Sequence, residues 1–241
     1  MQFMVLRRSD EQTEAGVVDP HLDEVFLPAA QGVWLEIDAG GINRVDTPPG
    51  PRRSIAGFAL IDAPSRQEAI ASWTERPALG GGASAEYELR EGGCPGGCAP
   101  VTPDGAVTPN GNRYAILLRS DEALEDEIPV ARQKLDTLDA HNAVEAAAGV
   151  LLGANGLRAS GRGARISVAP QKLSVVDGPF TEIKELIAGY WLIRAASMQA
   201  AIAWASRNPY PTGPRVTVEI RALREPGLPA APGGEPLAVP A

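Results

Sequence analysis

Residues Ile187–Pro209, IAGYWLIRAASMQAAIAWASRNP, align without a gap to Ile55–Pro77, IAGFALIDAPSRQEAIASWTERP, and 12 of the 23 positions are identical. Chance does not give that identity over that length, so the chain reads as an internal duplication. In each stretch an apolar run opening on Ile-Ala-Gly has the look of a buried strand, followed by a segment at helical spacing. Working outward, Tyr114–Asp121, YAILLRSD, echoes Phe3–Asp10, FMVLRRSD. The offset is 111 residues at this first strand (Phe3 to Tyr114) and 132 at the Ile-Ala-Gly strand (Ile55 to Ile187), so the second copy holds 21 more residues between them. A long helix, roughly Leu124 to Ala148, and a hairpin over Ala164–Val176 account for the excess.

The second copy then runs strand, helix, strand, hairpin, strand, helix, strand. Its strands fall near Tyr114–Arg119, Val150–Leu157, Ile187–Ala195 and Arg215–Ala222, the order of a ferredoxin-like split βαβ unit. The first copy offers strands at Gln2–Arg8, Val33–Ile37, Ile55–Ala63 and Ala85–Arg90. A helix over Ser65–Glu75 has Ser65 as its N-cap and Glu68 in the capping-box position. A second, short helix is expected over Pro20–Phe26 behind Asp19. Asp10–Gly16 reads as a polar loop and Asp38–Ser54 as irregular chain. The expected fold is α+β: two tandem ferredoxin-like units whose sheets face each other, an intrachain pseudo-dimeric α/β barrel enclosing a shared cavity. The expected division is 1–92 for the abbreviated unit, 93–112 for a Gly/Pro-rich linker, 113–223 for the full unit and 224–241 for a disordered tail.

Composition narrows the function classes. The net charge of −8 disfavours direct nucleic-acid contact, which needs a basic face. It also disfavours an anionic membrane surface. No apolar run has the length to span a bilayer. The opening MQFMVLRRSDEQTE places its charges after the apolar start, the reverse of a secretory signal, so a cytoplasmic protein is expected. Cys94-Pro-Gly-Gly-Cys98 lacks the further ligands of a zinc site and the spacing of thiol oxidoreductases. Two linker cysteines without a function are expected there, and two cysteines in this length do not suggest a disulfide scaffold. No metal or other cofactor is expected.

Asp177-Gly178-Pro179-Phe180 is a turn signal, with Glu182, Lys184 and Glu185 directly behind it and a core strand after them. With DGPFTEIKELIAGYWLI in view, the chain resembles the YCII-related family, in particular the DGPF branch, whose motif is D-G-P-F-[AT]-E-x-K-E before an apolar strand. Gly149–Leu157, GVLLGANGL, with Ser160, and the opening Phe3-Met-Val with Glu14–Val17 support it. The resemblance covers Arg113 to Arg221, and in the first copy both ends but not the middle. It implies a dimeric α/β barrel of ferredoxin-like units. Members are often encoded near extracytoplasmic-function sigma factors, and some wider relatives look like cofactor-free lyases or dehalogenases with a His–Asp pair. Leu138 falls near the place of that histidine, so the pair is not carried over.

The candidate catalytic groups are Asp177, Glu182, Lys184 and His141. Two carboxylates near a lysine could form an acid/base set; they could equally fix the hairpin by a salt bridge and a side-chain turn. His141 has the chemistry of a general base and competes with the reading of a solvated edge residue. Asn142, Tyr190 and Trp191 are the candidate ligand-binding groups. Ala131, Leu135, Leu138, Asn142 and Glu145 share one helix face, with His141 at its edge. Tyr190 and Trp191 point to opposite faces of their strand, one toward helices and one toward the inter-sheet space. The expected function is small-molecule binding or cofactor-free lyase or isomerase chemistry in a pocket between the sheets near the DGPF turn. The alternative is a non-catalytic partner protein in transcriptional regulation. Further association as a homodimer is left open.

Overall fold

The computed structural model describes residues 1–44, 54–76, 84–102, 111–170 and 172–225, without the side chains of Arg44 and Lys184. The expected tail beyond 225 and the stretch Asp46–Arg53 therefore lie outside the described residues. The first half runs β1 (Gln2–Arg8), α1 (Glu11–Glu14), β2 (Glu24–Val25), β3 (Val33–Asp38), β4 (Gly41–Arg44), β5 (Ile55–Asp62), α2 (Arg66–Thr74) and β6 (Ala85–Glu91). The second runs β7 (Asn112–Arg119), α3 (Glu122–Glu125), α4 (Arg132–Ala147), β8 (Leu151–Gly156), β9 (Ala164–Ala169), β10 (Lys172–Asp177), β11 (Ile187–Ala195), α5 (Met198–Arg207) and β12 (Arg215–Ala222).

Two six-stranded antiparallel sheets result, β10-β9-β6-β1-β5-β2 and β4-β3-β12-β7-β11-β8. Four adjacent strands of each, β6-β1-β5-β2 and β12-β7-β11-β8, keep one order, compatible with two ferredoxin-like units in an α+β fold. The remaining pair, at one edge of each sheet, comes from the other half. Hairpin β9–β10 pairs with β6, Leu89 opposite Ala164, and hairpin β3–β4 pairs with β12, Ile220 opposite Val33. The halves thus exchange hairpins and complete each other's edge.

Alternation along the strands sorts the core. Phe3 and Val5 of β1 join Trp73 of α2, while Met4 and Leu6 join Phe58, Leu117, Tyr190 and Leu192 in a cluster drawn from both sheets. A third cluster packs Ile116, Trp191 and Ile193 under Leu138 of α4 and Trp204 of α5. Charged groups are buried in a matching pattern. Arg8 Nη2 reaches Glu88 Oε2 at 2.7 Å and Arg90 Nη1 reaches Glu88 Oε1 at 3.0 Å. Arg119 and Arg221 bind the carboxylate of Glu219 in the same way. Arg90 and Arg221 also cross between the halves, donating to Arg158 O and Leu27 O respectively. Burial alone would raise the carboxyl of Glu88, but Arg90 and Arg8 hold it below the ordinary range.

Four expectations give way. Asp38–Ser54 is not irregular throughout: Gly41–Arg44 pair with Asp38–Leu35 of β3 as β4. Pro20–Phe26 is not a helix: Asp19 Oδ1 accepts the His21 N–H in a turn, and Glu24–Val25 pair with Phe58–Gly57 of β5. A backbone that can complete a sheet edge overrides a weak local helix signal. The long helix does not begin at Leu124. Pro129 cannot sit inside it and biases Ile128 toward extended backbone, so α3 stops at Glu125 and α4 starts at Arg132. The turn between them places Glu127 at φ 54°. The polar loop Asp10–Gly16 contains α1, closed by a reciprocal Asp10–Thr13 capping box.

The Glu127 corner carries a pH prediction. Hydrogen bonds from Arg158, 2.7 Å, and then Arg162 pull its carboxyl from 4.5 down to about 2. A depressed carboxyl contributes stability that is present above its unfolded value and is lost as pH falls through the folded one. Melting temperatures measured between about pH 5 and 2 should fall less steeply for Glu127→Gln than for the wild type.

Candidate functional site

The DGPF turn closes β10 onto the first half of the molecule. Gly178–Pro179 is a cis peptide, Gly178 N donates to Gly163 O at 3.3 Å, and Phe180 N donates to Ser160 Oγ at 3.1 Å. Phe180 is buried, and the Arg165 guanidinium lies over its ring at 4.2 Å. Asp177 ion-pairs with Arg66 of α2, and its side chain is 72% exposed. Glu182 stands 3.3 Å from Arg165 and is 48% exposed. Its own backbone N–H, the Thr181 hydroxyl and Arg165 hold its carboxyl low, which favours a spectator carboxylate over a proton donor near neutrality. Lys184 belongs to the 3-10 turn Ile183–Glu185, and its side chain lies outside the described residues.

His141 is elsewhere, on α4. Its ring faces Trp204 of α5, with centroids 5.8 Å apart, and its Nε2 is buried without a hydrogen-bond partner. The four catalytic candidates therefore do not form one constellation. Asp177 and Glu182 stand on the exchanged hairpin and the turn after it, and His141 stands between helices over the second sheet.

Asn142 and Trp191 do come together. Leu135, Leu138 and Asn142 form the buried face of α4, as the 3.6-residue period requires. Trp191 Nε1 donates to Asn142 Oδ1 at 3.2 Å, and the Trp191 ring stands edge-on to Tyr210, 5.4 Å away. Tyr190, one residue earlier, points the other way, 5.3 Å from Phe58 in the core that both sheets share. Burial there, with Glu24 adding to it, pushes its phenol up to about 12.

Asn142, Trp191 and Leu138 line a cavity of about 40 Å³ on the helix side of the second sheet. Gly156 and Gly189 form part of its floor, and Cys94 and Cys98 part of its wall. The Gly/Pro-rich stretch is accordingly no free spacer where it is described. Gly93 N donates to Gly156 O at 2.8 Å, Val101 pairs with Ala154, and Val130 N donates to Pro95 O at 3.2 Å. A Cβ on Gly156 would come within 2.6 Å of the Cys94 Cβ, so glycine permits this approach. Cys94 and Cys98 are joined as a disulfide across Cα atoms 5.7 Å apart.

A larger open groove of about 760 Å³ lies where β1 ends, lined by Arg7, Arg8 and Ser9 with Asp10, Glu11 and Glu14. Its main charges are already engaged: Arg7 with Asp10 at 2.5 Å, Arg8 with Glu88, and Glu14 with the Ala29 N–H at 2.7 Å. Among the described residues no group of three or more His, Cys, Asp or Glu could hold a metal ion, and no helix is long and apolar enough to cross a membrane.

Sequence reasoning did not find the buried arginines. The signal was available: Glu88-Leu89-Arg90 and Glu219-Ile220-Arg221 place two charges on one face of a strand, with a fully buried apolar residue between them. The chain has no match among curated proteins. A family model matches residues 112–224, the span that holds α4, the DGPF turn, β11 and the sheet side of the cavity. The model is that of the YCII-related domain, so this second half of the chain is similar to that family.

Proposed function

We propose that the protein binds a small molecule, or turns one over without a cofactor by lyase or isomerase chemistry, at the cavity between α4, β11 and the Gly93–Val101 segment. The observation that carries this reading is the Asn142–Trp191 pair: a buried amide and an indole meeting at a mostly apolar cavity, whose other polar side chains are Asn155 and Thr212. Ligand sites are commonly apolar recesses with a few placed polar groups. The rest of the lining, such as Leu118, Leu124 and Val130, calls for an uncharged, largely apolar ligand with one group that hydrogen-bonds the amide. Tyr190 belongs to the packed core in this reading, and Asp177 and Glu182 hold the hairpin.

A thermal-shift screen against a metabolite library tests it, because a ligand of the folded state raises the melting temperature by mass action. A hit should vanish in Asn142→Leu and survive in Asp177→Ala. Asp177→Ala should itself melt within about 4 °C of the wild type, since exposed ion pairs contribute at most about 1 kcal/mol. Loss of the hit in Asp177→Ala with Asn142→Leu unaffected would move the site to the DGPF turn.

The finer architecture belongs to the same proposal. Two tandem units, the second of the DGPF branch, face each other as an intrachain pseudo-dimeric barrel in the cytoplasm. The 12 identities of the Ile-Ala-Gly stretches, the recurring strand order and the cluster shared by both sheets support it. A second reading, a non-catalytic partner protein linked to transcriptional regulation, draws on edge strand β10, where Leu173, Val175 and Val176 are exposed. Such an edge offers unpaired backbone to another chain. A pull-down that recovers no stable protein partner counts against it.

A further inference from the structure

The cavity is partly open but small: at about 40 Å³ it has room for little more than two or three waters, so a metabolite seats fully only when a wall moves. Three of its sides are α4, β11 and β8, elements of the regular fold, with Leu124 of α3 and Pro211-Thr212 at the rim. The fourth is the Gly93–Val101 segment, which is held to β8 at its ends, through Gly93 N to Gly156 O and the Val101–Ala154 pairing. Between these anchors it carries one covalent closure, Cys94 to Cys98, over a separation of four residues, besides the bonds from Val130 N to Pro95 O and from Ala99 N to Asp139 Oδ1. Gly96 and Gly97 take positive φ values of 102° and 79° inside that loop. A ring this short constrains its own segment and little else, so it cannot serve as a staple for the whole fold.

Both cysteines are only half-buried, within reach of small thiols. The Cys98 N–H donates to Cys94 Sγ at 2.8 Å, which favours negative charge on that sulfur when the bond opens. We propose that Cys94 and Cys98 are a reversible dithiol–disulfide site that clasps the Gly93–Val101 segment over the cavity, with low-molecular-weight disulfides and thiols as its reaction partners. As a control on ligand entry it rests on the small-molecule reading above; as a redox site it stands on the cysteines alone.

The exchange balances. The thiolate of one cysteine attacks a sulfur of a glutathione-type disulfide, forming a mixed disulfide and releasing one thiolate, which takes a proton. The second cysteine, as thiolate, attacks the protein sulfur of that mixed disulfide. The Cys94–Cys98 bond forms and the second small thiolate leaves and is protonated. Two electrons have passed from the protein to the small disulfide. An excess of small thiol runs both steps backward and opens the clasp.

The test uses the full chain, without ligand, in glutathione buffers from fully reduced to fully oxidised. Alkylation followed by intact mass should show one transition between two blocked cysteines and none. Deuterium uptake over 93–101 should be at least tenfold faster in the reduced protein, while β7 and β11 stay unchanged. Cys94→Ser/Cys98→Ser should match the reduced wild type and ignore the buffer. Equal uptake in both redox states, or two alkylated cysteines at every poise, overturns the proposal. Neither result touches the cavity reading, which stands or falls on the Asn142→Leu screen.

Discussion

Glu219→Ala should lower the melting temperature by roughly 10 °C, the largest effect expected of a single substitution here. The Glu219 side chain is fully buried and its carboxylate is shared by Arg119 and Arg221, the latter at 3.0 Å. Removing it leaves two buried guanidinium groups without their counter-charge. Burial already disfavours the charge on Arg119, Glu219 opposes that, and the nearby charges of Arg8 and Arg221 add to the strain. Breaking a buried pair by deleting one partner costs about 3–5 kcal/mol, and a chain of this size loses about 2–4 °C per kcal/mol. Glu219→Gln keeps an acceptor while losing the charge, and should fall between the alanine variant and the wild type in the same melt. An alanine variant within about 2 °C of the wild type would mean that water replaces the carboxylate and the network holds nothing.

Gly178→Ala should come second, with a loss of about 3 kcal/mol, the upper end of the range for forcing atoms into packed space. A Cβ at this position would overlap the Ser160 carbonyl oxygen and lie 2.6 Å from its carbon. Backbone atoms cannot swing aside as a side chain would. Ser160 is itself fastened, its N–H donating to Glu125 Oε2 at 2.8 Å and its hydroxyl accepting from Phe180 N. The added methyl therefore separates β10 from the 3-10 turn Ser160–Arg162 that seats it and drags Phe180 from under Arg165. A thermal melt beside Asp177→Ala separates the two roles of the motif: the glycine variant should fall by several degrees and the aspartate variant should scarcely move. Equal falls would make Asp177 as structural as Gly178.

The sequence carried the strands well, because their signals are local. Ile55–Asp62 and Ile187–Ala195 are buried along most of their length, and both halves repeat the run, so each supports the reading of the other. Leu135, Leu138 and Asn142 fell on the buried face of α4 for the same reason. The hairpin over residues 164–176 was legible as a hairpin, since β9 and β10 pair with each other. That it would pair with β6 rather than with its own half was not, because nothing in either strand names the edge it will join. The site was half legible. Periodicity brought Asn142 onto the face that meets Trp191, whereas the motif gave no sign that Asp177 would pair with Arg66 of α2 and Glu182 with Arg165. Arg90 and Arg221 are placed by Glu88 and Glu219, which are buried beside them and would lose a counter-charge without them.

The exchange of hairpins also bears on how the chain reaches its native state. Sheet one cannot be finished until residues near 165 have met residues near 88, and sheet two waits for residues near 35 to meet those near 218. Contacts of such sequence separation form late and slowly. Neither half has a complete edge to stabilise it in the absence of the other, so partial folding of one half gains little. Folding is accordingly cooperative over both halves, and damage anywhere in β6 or β12 is felt as loss of the hairpin that belongs to the opposite end of the chain.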